Sequence, residues 1–227
     1  MGPVTIGIDI GQKHDPTAIA VAEIEDRQGE EYHVIRRLER LPLGTPYPQV
    51  ATRLTDVIAG VRARMTQDEA ERLLEPRWRR EPAADTTITV YVDATGVGQP
   101  VVDLLAGDDT PIHAVYFTYG DRRTVTGLHV SLGKAWLVSR LQALLQTGRV
   151  LLPKTAESEA LAKELQDYEI KVDQDANDKY GAFTVGAHDD LVTALGLAVQ
   201  PTPGTIQLLD PAIQDLIQNG WERQMGA

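Results

Sequence analysis

Aspartates recur in this sequence where a strand or a helix should begin or end, and three of those places could carry chemistry. Asp9 stands in Gly7-Ile8-Asp9-Ile10-Gly11. Val4, Ile6, Ile8 and Ile10 alternate with Thr5, Gly7 and Asp9, so the carboxylate falls on the strand face opposite the isoleucines. An ionised carboxylate in such apolar surroundings costs several kcal/mol unless it is paired, hydrogen-bonded or bound to metal. The plain alternative is a satisfied strand-end or turn aspartate. Asp93 repeats the pattern, closing Thr89-Val90-Tyr91-Val92-Asp93 before the glycine-bearing turn Ala94-Thr95-Gly96-Val97-Gly98. An Asx turn or a helix cap would explain it without function. The third place is His188-Asp189-Asp190, after Gly186-Ala187 and at the head of an apolar helix. Asp189 is placed to accept from the first free N–H groups of that helix, leaving Asp190, Ala194 and Leu197 on an inward stripe. Helix starts favour acids for their own sake, so this triplet counts only together with the other two.

If the strands ending in Asp9 and Asp93 are parallel neighbours, about 4.8 Å apart, their carboxylates meet just beyond the strand ends. That geometry suits two metal ions roughly 3.5–4 Å apart. The chain has no cysteine, which excludes thiolate zinc sites, iron–sulfur clusters, disulfides and cysteine nucleophiles. Any metal here must sit on oxygen or imidazole.

The elements that must position these acids are of both kinds. Val4 to Ile10, Thr17 to Ile24 and Tyr32 to Leu41 read as a three-stranded meander with Gln28-Gly29 at its second turn. Val50, Leu54, Val57, Ile58 and Val61 fall at helical spacing within Gln49 to Met65. Thr86 to Val92, Val97 to Leu105 and Ile112 to Thr118 alternate as strand, helix and strand. Ser131 can cap a helix carrying Trp136, Leu137, Leu141, Leu144 and Leu145 that stops at Gly148. A helix over Ala156 to Gln166 follows. Tyr168 to Val172 and Tyr180 to Val185 then flank Asp173 to Lys179 as a hairpin with a long mobile tip. A last core helix covers Asp189 to Val199. The expected class is α/β with a mixed central sheet, in a domain spanning residues 1–200. Residues 66–85, with Pro76, Pro82 and the run Arg77-Trp78-Arg79-Arg80, read as an inserted loop or a loosely attached helix. Residues 201–227 read as a tail in which Ile213, Leu216, Ile217 and Trp221 are spaced for a short docking helix.

Composition bounds the partners. Lys and Arg total 22 against 33 Asp and Glu, a net charge of -11, which argues against indiscriminate attachment to nucleic acid or to anionic membrane. Any nucleic-acid role needs a local basic patch. The longest apolar stretch, Leu191 to Val199, is about half of the ~20 residues a bilayer span requires, and Met1 to Gly11 has no cationic segment of the kind that opens a signal peptide. The expected location is cytoplasmic.

The segments Gly7 to Val21 (GIDIGQKHDPTAIAV), Val90 to Leu105 (VYVDATGVGQPVVDLL) and Gly186 to Val199 (GAHDDLVTALGLAV) closely resemble the nuclease domain of tailed-phage large terminase subunits. The stretch from His129 to Pro153, with Lys134, Leu137 and its terminal Gly-Arg-Val, is similar too, so the resemblance runs from about Val4 to Gln200. It implies a ribonuclease H-like fold and divalent-metal-dependent cleavage of concatemeric double-stranded DNA during genome packaging, in a host bacterial cytoplasm. It also implies site roles. Asp9 would be shared by two metals, Asp93 would be the second ligand, and Asp189 with Asp190 would fill the third position. Oxygen ligands suit Mg²⁺ or Mn²⁺. His188 is an auxiliary candidate that could ligate, orient a phosphate or cap. Lys134 resembles a lysine near the family's active site, against the alternative of a solvated helix lysine. His14 and Asp15 follow Asp9 in the same turn, and Asp15 reads mainly as structural.

The chain departs from a whole large terminase in one respect: it contains no GxxxxGK[ST] phosphate loop. It is therefore expected not to translocate DNA by itself, and to be an excised, separately encoded or remnant nuclease domain. A terminase motor domain, a portal or a small terminase subunit would be its protein partners, and no membrane. Candidate phosphate contacts are Arg36, Arg37, Arg40, Arg77, Arg79, Arg80, Arg122, Arg123, Lys171 and Lys179. Arg122, Arg123, Lys171 and Lys179 come first because they border the expected strand ends. Competing readings are a junction resolvase of the same superfamily, a sugar-kinase or actin-like ATPase whose first loop also has the form GIDIG, and a non-catalytic packaging scaffold.

Overall fold

A computed structural model describes residues 1–11, 15–76, 78, 87–105, 110–172, 178–181 and 188–201, with the backbone alone over 169–172 and 178–181. An eight-stranded mixed sheet runs in the order β6-β7-β5-β4-β1-β2-β3-β8. The meander supplies β1 (Val4–Asp9), β2 (Ala18–Arg27) and β3 (Glu30–Arg40), paired antiparallel in sequence. Gln28 and Gly29 turn between β2 and β3 with φ of 63° and 86°, the left-handed pair a two-residue hairpin demands. The crossover α1 (Tyr47–Leu74) returns the chain to β4 (Ile88–Asp93), parallel to β1. The short α2 (Gln99–Leu105) then leads to β5 (Ile112–Thr118), parallel to β4.

Two strands stand where the sequence reads as leading to a helix cap at Ser131. β6 (Arg123–Thr126) and β7 (His129–Gly133) form a hairpin, and β7 runs parallel to β5. Ser131 is therefore paired with Tyr116 inside the sheet, and α3 (Lys134–Gln146) starts after Gly133 with no side-chain cap. The expected stop holds: Gly148, at φ 69°, donates to the Leu145 carbonyl, and Arg149 donates to that of Leu144. β8 (Val150–Leu151) joins the β3 edge, and α4 (Ala156–Asp167) follows, capped by Thr155. β9 (Glu169–Val172) and β10 (Asp178–Gly181) pair as a hairpin apart from the main sheet, with β10 starting at Asp178 where the sequence put Tyr180, and residues 182–185 of the expected strand lie outside the described residues. The last helix is α5 (Asp190–Ala198). Residues 66–74 continue α1 as helix. Residues 77 and 79–86, the hairpin tip at 173–177 and the tail 202–227 lie outside the described residues.

The sheet is covered on both faces. Val4, Ile6 and Ile8 of β1, Ile19 and Val21 of β2, and Val90 and Val92 of β4 pack against Val50, Leu54, Val57, Ile58 and Val61 of α1. On the other face β2 shows only Ala18, Ala20 and Ala22, against Leu191, Val192, Ala194, Leu195 and Ala198 of α5. Small residues on that face let α5 lie close. Every residue from Asp190 to Ala198 is buried, which is why its sequence is apolar all round rather than striped. No helix among the described residues is long and apolar enough to cross a membrane.

Candidate active site

Strand register brings the first two acids together. The pairing of β1 with β4 ends at Ile8 opposite Val92, and one more residue on each strand places Asp9 beside Asp93. Parallel β5 and β7 finish at the same end, where Thr118 pairs with Gly133 and Lys134 opens α3. The meander contributes there too, since Ala18 of β2 pairs with both Asp9 and Arg40.

The third acidic position is set by a glycine. Asp9 shares a strand face with Gly7, and that face meets α5. A Cβ on Gly7 would lie 2.2 Å from the Ala194 carbonyl oxygen and 2.3 Å from the Ala198 amide nitrogen, so helix and strand backbones are in direct contact. One helical turn back from Ala194, about 5.4 Å, is Asp190. Two strand residues on from Gly7, about 6.7 Å, is Asp9. The helix start and the strand end therefore converge.

The electrostatics record that convergence. Loss of water pushes the Asp9 carboxyl well above the ordinary carboxylate range, and the charges of Asp93, Asp189 and Asp190 push it further, with Lys134 opposing them. Burial also raises Asp93, opposed by hydrogen bonds from Thr95 and by Lys134. The Thr95 N–H donates to Asp93 Oδ1 at 2.8 Å. The Asx turn is thus present alongside the acidic neighbours, leaving Asp93's second oxygen directed by a fixed first one. The Lys134 charge acts on both Asp9 and Asp93, and its Nζ stands 5.3 Å from the Phe117 ring centre.

The head of α5 departs from the expected arrangement. Asp189 occupies the N-cap position, but its side chain makes no capping bond. Glu164 of α4 does so instead, with Oε2 accepting from the N–H groups of Leu191 at 3.0 Å and Val192 at 3.3 Å. Asp190 is 2% exposed and holds Arg40, whose Nε donates to Oδ2 at 2.7 Å and whose Nη2 donates to Oδ1 at 3.2 Å. Arg40 Nη2 also donates to Glu164 Oε1. Burial and the Asp190 charge push the Glu164 carboxyl up to about 7, against Arg40 and the Val192 N–H. Burial raises Asp190 as well, with Arg40 opposing.

Arg40, a candidate phosphate contact in the sequence, is instead taken up by Asp190 and Glu164, and Glu164 was not legible as a site residue. Arg40 reads as one charge in a basic strand, although the meander alone puts the end of β3 level with Asp9. Glu164 sits at helical spacing with Leu161, Leu165 and Tyr168, and an acid on an apolar stripe is the signal that marks it. His188 lies at the same place, its Nδ1 3.6 Å from Asp15 Oδ1 and 3.9 Å from Asp190 Oδ1. His14 is outside the described residues.

The basic candidates separate. Arg123 turns inward, donating to Gln200 Oε1 at 3.2 Å and Tyr91 Oη at 3.3 Å, whereas Arg122 is exposed. Arg36 pairs with Glu23 and Glu25, and Arg37 with Glu39. Lys171 and Lys179 are register partners across the β9–β10 hairpin. Arg77, Arg79 and Arg80 fall outside the described residues.

An α/β sheet with three acidic positions at one end is the frame on which the comparisons bear. The model of the terminase RNase H-like domain matches residues 6–201. The chain belongs to that family. Among solved structures it is similar to the large terminase nuclease from thermophilic phage G20c, with a TM-score of 0.55 and 20% identity over 86% of this chain and 80% of that one. The same nuclease with bound magnesium matches with a TM-score of 0.55 and 22% identity, over 86% and 79%. The large terminase nuclease domain of Thermus phage P74-26 follows with a TM-score of 0.49 and 18% identity, over 86% and 77%. No curated protein matches the sequence. At these identities the likeness to solved structures is one of fold, and the terminase RNase H-like fold is that of the mixed sheet described above.

Within this terminase domain the donor chemistry suits a hard divalent cation. The ligands available are oxygens, they are withdrawn from water, and around Asp9 they repel one another with Lys134 opposing. A dication would cancel that repulsion. Among the described residues no three acidic or imidazole groups close around a single point as they stand, and Asp190 is turned to Arg40.

Proposed function

We propose that this terminase domain is a divalent-metal-dependent endodeoxyribonuclease that cuts double-stranded DNA during phage genome packaging, by a two-metal mechanism. The observation that carries the reading is geometric: parallel register sets Asp9 beside Asp93 at the strand ends, and α5, seated on Gly7, brings Asp190 toward the same end, where burial and the neighbouring acids oppose ionisation of Asp9. A scaffold has no use for that cost. Asp9, Asp93, Asp189 and Asp190 would hold Mg²⁺ or Mn²⁺, and the G20c relative solved with bound magnesium supports the choice. When bound, the ions would supply Lewis acidity for activating the attacking water and for stabilising the leaving 3′ oxygen.

The chain's own residues bind and orient. Asp93 is held by the Thr95 N–H. Lys134, at the start of α3 beside the acids, is the residue placed to meet the scissile phosphate. Arg122 is exposed beside β6, and Lys171 with Lys179 puts two like charges at one register position, an arrangement that a phosphate backbone favours. Arg123 serves the β6 anchor first and DNA second. With net charge -11, intrinsic DNA affinity is weak, so cutting depends on delivery by a motor partner.

The test is cleavage of supercoiled and linear plasmid at low salt with Mn²⁺, Mg²⁺, Ca²⁺ or chelator, comparing wild type with folded Asp9→Asn and Asp93→Asn. Cutting that requires Mn²⁺ or Mg²⁺ and disappears in both variants is the expected result. Wild type that is folded yet inert with every metal, and stays inert when a terminase motor domain is added, would leave the scaffold reading.

A further inference from the structure

A helix start leaves its first N–H groups without partners inside the helix, and the N-cap side chain is their usual acceptor. Asp189 holds that position in α5 and does not perform it. Glu164 does, from another helix 27 residues back along the chain. It is 6% exposed, so this is not a chance surface contact. Its second oxygen takes Arg40, and Arg40 grips both oxygens of Asp190. The arrangement is expensive, because it buries an extra carboxylate next to Asp190 where an apolar residue and an Asp189 cap would satisfy the same backbone groups. The cost has a return: the Asp189 carboxylate is released from the helix and left among the charges that surround Asp9.

We infer that Glu164, tied by Arg40, is a positioning residue: it takes over the capping of α5 and so frees Asp189 for the metal-holding cluster, while Arg40 fixes Asp190. The inference rests on the metal-nuclease reading above. It makes a specific claim about what Asp189 does when Glu164 is gone. With Glu164 removed, the Asp189 side chain turns back to its default partners, the helix N–H groups, and leaves the cluster.

The experiment uses the full chain and Mn²⁺ alone as the probe, followed by titration calorimetry, with thermal melts in chelator and plasmid cleavage alongside. Glu164→Ala should lose about 10–100-fold in Mn²⁺ affinity, the range for removing a residue that orients a metal ligand, and should lower kcat with little change in KM for DNA. Asp189→Ala should leave the Tm of wild type unchanged or raised, but lower that of Glu164→Ala by about 2–4 °C, because only there does Asp189 cap the helix. Glu164→Gln keeps one oxygen for the same N–H groups but turns an amide NH2 toward Arg40, so its Mn²⁺ affinity should fall between those of wild type and Glu164→Ala; it also carries the test if the alanine variant fails to fold. Wild-type Mn²⁺ affinity in Glu164→Ala, an Asp189→Ala effect equal in both backgrounds, or a glutamine variant as weak as the alanine one would overturn the positioning role while leaving the nuclease reading intact. Wild type that takes up no Mn²⁺ would remove both.

Discussion

Gly7→Ala adds one methyl group where β1 and α5 touch. Its Cβ would lie 2.2 Å from the Ala194 carbonyl oxygen, 2.3 Å from the Ala198 nitrogen and 2.8 Å from the Leu197 carbonyl carbon. All three are backbone atoms of one helix, and none can rotate aside. Ordinary contact begins at 3.4 Å, so α5 must retreat by about 1 Å to restore van der Waals distance. Overpacking of this kind costs about 1–3 kcal/mol. For a chain of this size that lowers Tm by about 2–12 °C. The functional loss should exceed the stability loss, because α5 carries Asp189 and Asp190 away from an Asp9 that stays with the sheet. A displacement of about 1 Å can cost on the order of 10²-fold in rate. Gly196→Ala is the control, since the nearest atoms to its Cβ belong to the Leu137 side chain, at 2.4 Å from Cδ2 and 2.7 Å from Cγ. Leu137 can change rotamer, so this variant should melt closer to wild type and keep its activity. The assay is calorimetric melting in chelator, with Mn²⁺ titration and plasmid nicking on the same preparations. Gly7→Ala that matches wild type in metal affinity and cutting, or Gly196→Ala that is equally damaging, would refute the idea that backbone contact at Gly7 sets the site.

Asp9→Asn should raise the metal-free Tm by a few degrees, from about 0.5–2 kcal/mol of relieved repulsion, and should abolish any further rise on adding Mn²⁺; a lower metal-free Tm would show that the acids do not repel as described. His33 is 1% exposed with neither ring nitrogen partnered, and burial together with the nearby Arg140 lowers its pKa to about 3. The unfolded chain therefore binds the extra proton below pH 6.5, and this residue's contribution falls by about 1.4 kcal/mol per unit of pH from there down to about 3. Glu164, raised to about 7, acts oppositely, gaining stability as pH falls from 7 to its unfolded value of 4.5. Melting His33→Leu beside wild type from pH 7 to 4 isolates the histidine limb, and equal slopes would rule it out. Tyr91→Phe removes a buried hydroxyl that donates to the Pro201 carbonyl at 3.0 Å and accepts from Arg123. It should cost about 1–3 kcal/mol, and a Tm within 1 °C of wild type, on a scale of about 2–4 °C per kcal/mol, would show that those partners find water.

Much of this architecture is legible because local signals and the fold agree. The alternation in β1, the Gln28-Gly29 turn and the stripe from Val50 to Val61 each specify one element without reference to any other. Asp9 and Asp93 were legible for the same reason: each ends an apolar strand, and parallel pairing does the rest. The β6–β7 hairpin carries a short local signal, Val125, Val130 and Leu132 alternating with Thr, His and Ser about Gly127 at φ 60°, which a helix cap at Ser131 obscures. α1 reaches Leu74 through a stretch with no buried residue, held as helix by good helix formers and by local pairs such as Gln67 with Glu71 and Arg72 with Glu69. In both cases a local signal other than a long apolar stripe decides the element.

The acids of the candidate site could be named from the sequence, and what restrains them could not. A carboxylate at a strand end announces itself by being out of place, whereas an arginine in Arg36-Arg37-Leu38-Glu39-Arg40 and a glutamate in Glu157-Ser158-Glu159 to Asp167 look like solvated charges. Arg40 and Asp190 are 150 positions apart, so no window on the sequence contains their relation. The fold nevertheless forces it. An antiparallel meander ends its third strand level with the end of its first, and α5, which meets Gly7 at Ala194 and Ala198 and starts one turn earlier at Asp190, begins near that same level. Once four acids are gathered there, a cation at the end of β3 and an acceptor for the α5 N–H groups are what the chain needs to hold them without metal. Arg40 and Glu164 occupy those two positions, and the geometry of the strand ends is the reason they are found there.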